Sequence, residues 1–224
     1  MTDTETEVVK ITTPAQQQRR EAILLAAADM FFERGYAATS VDAILAKVGG
    51  SKRSIYAEFG NKEGLFTALV SHHARYALSA LEEQDAGYGK DIEQHLLIFG
   101  RRLMDIYFSP ALLGIFRAIM AEGARFPELT RSFYEQGPAH AAIRLSEVLN
   151  AAASRNEIAV DDGIMAASHF IGMLRDNLHL SVVLGLRPVP SEAETEKHVV
   201  SAVQIFLRGL SYHSVNNSTR RQST

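Results

Sequence analysis

Residues 39–62 read TSVDAILAKVGGSKRSIYAEFGNK, and the placing of glycines, capping residues and apolar positions in this stretch decides the fold. Thr39 and Ser40 are good N-caps for a short helix predicted over Val41 to Val48. Gly49-Gly50 then forces a tight turn. Ser51 can cap a second short helix from Lys52 to Phe59. Two short helices around a glycine turn suggest a helix-turn-helix.

Working outward, a first helix is predicted from Gln16 to Arg34, with Ile23, Ala27, Met30 and Phe31 on one face and Gly35 as its C-terminal stop. On the other side Asn61 can cap a long helix carrying Leu65, Phe66, Leu69, Val70, Tyr76, Ala77 and Leu81 and ending before Gly87. Longer and more apolar helical segments follow at 91–108, 110–124, 127–154, 161–185 and 191–213, as a bundle requires. The fold class expected is therefore all-α. An N-terminal three-helix helix-turn-helix domain occupies 16–61 and a larger C-terminal helical bundle 62–213. Residues 1–15 and 214–224 lack apolar periodicity and are expected as a flexible arm and tail.

Composition sets outer limits. The 224 residues are 46% hydrophobic, enough for a sizeable core. No cysteine is present, so disulfides, thiolate metal sites and cysteine nucleophiles are excluded, which argues for a cytoplasmic home. The polar N-terminus MTDTETEVVKITTPAQQQ does not read as a signal peptide. No apolar run reaches the roughly 18–20 residues that span a bilayer, so no membrane partner is expected. The net charge of -3 gives no global sign of nucleic acid, and the case for DNA rests on local charge.

That local charge sits on the second short helix. Lys52, Arg53 and Ser54 stand at its N-terminal end, where free backbone N–H groups and the helix dipole favour phosphate. This end suits entry into a major groove. Lys52 and Ser54 can reach base edges, Arg53 can make the bidentate contact that prefers guanine, and Tyr56 offers a hydroxyl to phosphate. Lys62, in the first turn of the next helix, opposes that helix's dipole and so points to a nearby phosphate. From Gln16 to Lys62 seven basic side chains face five acidic ones, and the excess gathers at this helix.

The pattern Ile23, Ala27, Met30-Phe31, Gly35, Thr39, Ile44, Gly49, Ser51-Lys52, Ile55-Tyr56, Phe59 and Lys62-Glu63 resembles the TetR/AcrR family of transcription regulators. The phrase SKRSIYAEFGNKEGLF looks like that family's recognition helix and the start of the helix leading to its ligand domain. The resemblance implies phosphate contacts from Ser40, Ser54, Tyr56 and Lys62, and base contacts from Lys52, Arg53 and Ser54, with Ser51 among the DNA-binding residues. Two positions depart from the pattern. Gly50 replaces a valine or isoleucine that packs between the short helices, and Glu58 replaces a histidine or tyrosine near the DNA. A carboxylate there either points away or accepts from a cytosine amino group. Arg19 and Arg20 are candidates for further phosphate contacts from the first helix.

In the same family the middle helices hold an apolar effector and the last two form a homodimer. Candidate ligand residues are Leu103, Tyr107, Phe116, Met120, Phe170, Met173, Leu174 and Asn177. Phe99 and Ile106 belong to the same apolar faces, and His95, Arg117, His140, His169 and Arg175 are polar groups that could orient a small apolar or amphipathic effector. Taken singly, each aromatic or methionine at helical spacing is ordinary core. Val199, Val200, Val203, Phe206, Leu207 and Leu210, paired with Ile164 to Leu184, form the expected four-helix dimer face. The function implied is a ligand-responsive repressor that binds a double-stranded, inverted-repeat operator as a homodimer and leaves it when the effector enters.

Two rivals differ in class. A helical-bundle enzyme or metal-binding protein would draw on His72-His73, or on Glu194 with His198 at i, i+4 spacing. No HExxH or ExxH signature supports it, so no catalytic residue, metal or cofactor is assigned. An architectural DNA-binding protein without ligand control would need more basic surface.

Overall fold

The computed structural model describes the backbone of residues 13–82 and 91–221, with side chains over 13–74 and 91–210. Helices account for the architecture: α1 Pro14–Arg34, α2 Val41–Val48, α3 Lys52–Phe59, α4 Lys62–Glu82, α5 Ile92–Tyr107, α6 Pro110–Glu122, α7 Pro127–Tyr134, α8 His140–Ser154, α9 Gly163–Val183 and α10 Glu192–Arg221. No strand occurs among the described residues. The chain divides into two compact units, residues 1–69 and 70–224.

In the first unit α1 starts two residues earlier than the periodicity predicts. Thr13 and Gln16 close a reciprocal capping box and Pro14 occupies the first turn, so the start is set by caps rather than by the apolar face. The core is Ile23, Ala27, Phe31, Tyr36, Ile44, Ile55, Leu65 and Phe66, each 2% exposed or less. Phe31, Tyr36 and Phe66 meet with ring centroids 5.3–5.6 Å apart, two of the three pairs edge to face. The start of α4 thus belongs to this core, so the unit extends beyond residue 61. Ser40 and Ser51 cap α2 and α3, and Asn61 Oδ1 accepts from Gly64 N at 2.7 Å. The side chains of Tyr76, Ala77 and Leu81 and all of residues 83–90 lie outside the described residues.

In the second unit α9 is the centre, packed against α5, α8 and α10, with α5 also against α10 and α6 against α5 and α9. Phe170 bridges α5 and α10 through Phe99 at 6.4 Å and Phe206 at 5.1 Å. Two segments predicted as continuous helices are interrupted. Between α7 and α8 the backbone widens into a π-helical turn over Glu135–Ala139 with Pro138 inside it. Proline removes one N–H from the ladder and crowds the preceding turn, which explains a widened turn at that point. In α9 Asp176 leaves helical geometry and its carboxylate accepts from Leu178 N, so the helix kinks there. The last helix continues to Arg221, past residue 213 where the sequence reading begins a flexible tail.

Candidate nucleic-acid interface

The start of α3 is an organised polar surface. Ser51 Oγ accepts from Ser54 N at 3.3 Å, and Ser54 Oγ donates to Ser51 O at 2.7 Å. Lys52 Nζ stands 2.8 Å from Asp42 Oδ2, tying the first turn of α3 to the first turn of α2. The hydrogen bond and charge of Asp42 hold the Lys52 ammonium above the ordinary lysine range. Both partners are well exposed, so the pair is weak and open to exchange for a phosphate or base. Arg53 and Ser40 are exposed, and Tyr56 is 46% exposed with Ile55 and Phe59 buried on either side. These residues can therefore meet a duplex without unpacking α3.

The two departures from the family pattern have structural causes in α1. Gly50 has φ +105°, and a Cβ there would collide with the Arg19 guanidinium. Arg19 Nη2 in turn donates to Ser54 Oγ at 3.3 Å. An arginine thus passes through the space that a side chain at position 50 would fill. Glu58 accepts from Arg20 Nη1 at 2.9 Å, while the Arg20 guanidinium lies 4.9 Å from the Phe59 ring centroid. The carboxylate is thus neutralised within the protein, a third arrangement beside the two that the sequence left open.

Lys62 needs a different explanation from the expected one. Its ammonium donates to the carbonyls of Tyr36 at 2.7 Å, Thr39 at 3.0 Å and Ala37 at 3.3 Å, and lies 4.3 Å from the Tyr36 ring centroid. It closes the loop between α1 and α2, and these contacts account for a lysine in the first turn of α4 without a phosphate.

The second unit holds a cavity of about 260 Å³, whose wall includes Val70, His73 and Ala74 of α4, Leu103, Ile106 and Tyr107 of α5, Leu112 and Ile115 of α6, and Phe133. Gln136, Gly137 and Pro138 of the π-helical turn also line it. Of the expected ligand pool, Leu103 and Tyr107 line this cavity. Burial pushes the Tyr107 hydroxyl up to about 12, against a smaller opposing effect of Arg175. Phe116 backs the wall, 6.1 Å from Tyr107 and 5.0 Å from Phe133. The remaining members lie elsewhere: Met120 is 55% exposed, Asn177 is exposed, Phe170 and Leu174 are central core, and Met173 faces a separate groove between α9 and α10. Helical periodicity gave these residues a common apolar face but not a common wall.

The polar members are mostly engaged within the fold. Arg117 donates to the carbonyls of Val183 and Val182 at the end of α9, at 3.0 and 3.1 Å. His95 Nδ1 lies 3.0 Å from Asp91 O, His140 is exposed, and the Arg175 guanidinium lies 5.9 Å from the Phe116 ring centroid. Of the two pairs offered for a metal, one is engaged within the fold: Glu194 takes both terminal nitrogens of Arg187 at 2.7 Å, and His198 Nε2 sits 2.9 Å from Leu174 O. His179 has the signal that the sequence did not reveal. It is 4% exposed, ringed by Phe116 at 4.6 Å, Tyr107 at 5.2 Å and Phe108 at 6.0 Å, and among the described residues its Nε2 has no hydrogen-bond partner.

The face expected to dimerise is in part buried and in part exposed. Val199, Val203 and Phe206 are buried inside the unit. Among the described residues Ile164, Met165 and Leu180, which lie within the expected α9 part of that face, and Ile205 of α10 are 43–59% exposed. A shallow groove passes between Met165, His169 and Met173 on one side and Ile205 and Gly209 on the other.

Comparison with known proteins agrees with both units. Residues 23–69 match the model of bacterial regulatory proteins of the tetR family. Residues 94–210, just over half of the chain, match the C-terminal domain of AefR-like transcriptional repressors. A TetR-family regulator from Mesorhizobium loti is 29% identical over 86% of this chain and 96% of that one, with a TM-score of 0.77. The flavonoid-responsive regulator FrrA is 31% identical over 86% and 97% of the two chains, with a TM-score of 0.69. Among curated proteins, the regulator YvkB of Bacillus subtilis is 37% identical over 70 residues, 31% of this chain and 37% of that protein. The repressor ComR of Escherichia coli is 41% identical over 54 residues, 24% of this chain and 26% of that protein. The chain thus spans about a third or less of the length of these curated relatives. With both units matched, the chain belongs to the TetR family of transcription regulators.

Proposed function

We propose that this regulator is a repressor that binds an inverted-repeat operator as a homodimer and is released by a small molecule entering the α4–α5–α6 cavity. The observation that carries the reading is α4 itself. One helix begins with Lys62, Leu65 and Phe66 in the DNA-binding unit and continues to Val70, His73 and Ala74 in the cavity wall. An effector that displaces the second part of α4 disturbs the first, to the extent that it binds the two states differently.

In this reading the DNA-binding domain, expected over 16–61, continues into the start of α4 as far as Leu69, and the effector and dimer domain follows from Val70 to residue 213. Ser40, Ser51, Arg53, Ser54 and Tyr56 contact the operator directly, and Lys52 exchanges Asp42 for DNA. Lys62 acts by holding the α1–α2 loop. Two reading heads on a two-fold axis reach half-sites about 34 Å apart or more, and the exposed α9 and α10 residues supply the dimer surface. Repression agrees with the AefR-like repressor domain matched at 94–210. An apolar effector agrees with the cavity wall and with the flavonoid-responsive name of FrrA. The site of action is the bacterial cytoplasm.

The test is a salt series of binding by the purified protein to the DNA flanking its own gene, with scrambled DNA as control. Selective binding that Tyr56→Phe weakens on both DNAs alike supports the interface. Binding with no preference for the flanking DNA over the scramble sinks the operator reading.

A further inference from the structure

The cavity has a polarity that selects among ligands. Its wall is apolar over Leu103, Ile106, Leu112, Ile115 and Phe133. Of the lining residues only Arg102 and Asp105 carry full charges, and they are of opposite sign and exposed. By contrast, His73 Nε2 is buried and, among the described residues, has no hydrogen-bond partner. An unpaired ring nitrogen in an apolar wall is unfavourable, and a ligand that brings it a partner relieves that cost.

We propose, taking this cavity as the effector site, that it selects an uncharged, largely apolar molecule whose single hydroxyl hydrogen-bonds His73 Nε2, and that it rejects the carboxylate of the same skeleton. The hydroxyl can donate to or accept from a neutral imidazole, so either tautomer serves. Burial, and to a lesser degree the neighbouring His72, hold the imidazole below its ordinary range, so it stays neutral near pH 7. A carboxylate that enters therefore finds no buried cation to replace its hydration. Outside, its attraction to Arg102 is screened by water and opposed by Asp105 one turn away. The volume of about 260 Å³ is just under the common range of about 300–1,000 Å³ for small-molecule sites, which suits a ligand of one or two rings.

His73 also gives the contact a position that matters. It lies on α4, one helical turn beyond Leu69, the last residue of the DNA-binding unit, so a ligand held there binds the element shared by both units. Gln136, on the π-helical turn of the same wall, already donates to Ser132 Oγ at 2.7 Å, whereas His73 Nε2 is a buried ring nitrogen without a partner among the described residues.

The experiment is calorimetric titration of the full-length protein at neutral pH with 4-phenylphenol, biphenyl and biphenyl-4-carboxylate. The phenol is expected to bind about tenfold tighter than the other two, and His73→Phe is expected to bring it level with biphenyl. A carboxylate that binds as tightly as the phenol, a phenol preference that survives His73→Phe, or no binding by either neutral probe overturns the proposal. Ala141→Trp and Leu112→Trp, each checked for unchanged helical circular dichroism, fill the cavity. Binding that both filled variants abolish, with the order of the probes reversed in the parent protein, overturns the ligand class alone. Binding that neither filled variant alters shows that the effector site lies elsewhere and overturns both readings.

Discussion

Arg19 of α1 donates to Ser54 Oγ of α3 at 3.3 Å across the backbone of Gly50. The first helix thereby adds a contact to a serine at the start of α3 that also donates to Ser51 O at 2.7 Å, and the missing side chain at Gly50 leaves room for the guanidinium. At φ +105° any other residue is strained even without the collision. Gly50→Val is therefore expected to destabilise the protein by about 1–3 kcal/mol, read by urea unfolding, although valine is a common residue at this position in the family. Arg19→Ala in the same chain should recover the steric part and leave the backbone strain. A Gly50→Val protein as stable as its parent would contradict this account.

The Arg20–Glu58 pair sets one positive charge against one negative charge within the protein, both side chains about one-third exposed. Glu58→Gln is expected to raise affinity several-fold for operator and scrambled DNA alike, and to steepen the salt dependence by up to about one counterion as Arg20 becomes free to meet a phosphate. Fluorescence anisotropy over a salt series reads both quantities. A loss confined to the operator would instead show Glu58 reading a base.

Lys62 offers a clean separation of a structural role from an electrostatic one. Its contacts with three carbonyls and the Tyr36 ring are charge-assisted and partly buried. Lys62→Met is expected to cost about 2–3 kcal/mol of stability while the salt slope of DNA binding stays as it was. A slope reduced by about one with stability unchanged would restore the phosphate contact that the sequence suggested.

The DNA-binding unit was legible because its signals are local. Ser40, Ser51 and Asn61 cap the helices they were expected to cap, and α2 and α3 have the expected bounds. What stayed hidden depends on pairs far apart in the chain: Arg19 with Ser54, Arg20 with Glu58, and Lys62 with the 36–39 loop. Periodicity names the apolar face of a helix but not the neighbour it meets, so it groups Met120 and Asn177 with Tyr107 although both are exposed. The cavity wall depends on a π-helical turn at Pro138, which the 3.6-residue pattern through 127–154 could not reveal.

His179 makes a prediction about pH. Burial among Tyr107, Phe108 and Phe116, with a smaller push from Arg175, lowers its imidazole to about 4. The unfolded chain takes up a proton on this ring as pH falls past about 6.5, whereas the folded chain resists until about 4. Stability is thus lost as pH falls through that window, by about 2–3 kcal/mol from this residue. His179→Phe keeps the aromatic packing and removes both the titration and the unpartnered nitrogen, so the gap between variant and parent should widen steadily from pH 6.5 to 4. Urea midpoints of the two proteins across this range measure the gap. His73 shifts in the same direction in both proteins and cancels in the difference. A constant gap would mean that the folded protein protonates His179 as readily as the unfolded chain does, and that the aromatic ring around it is open to water.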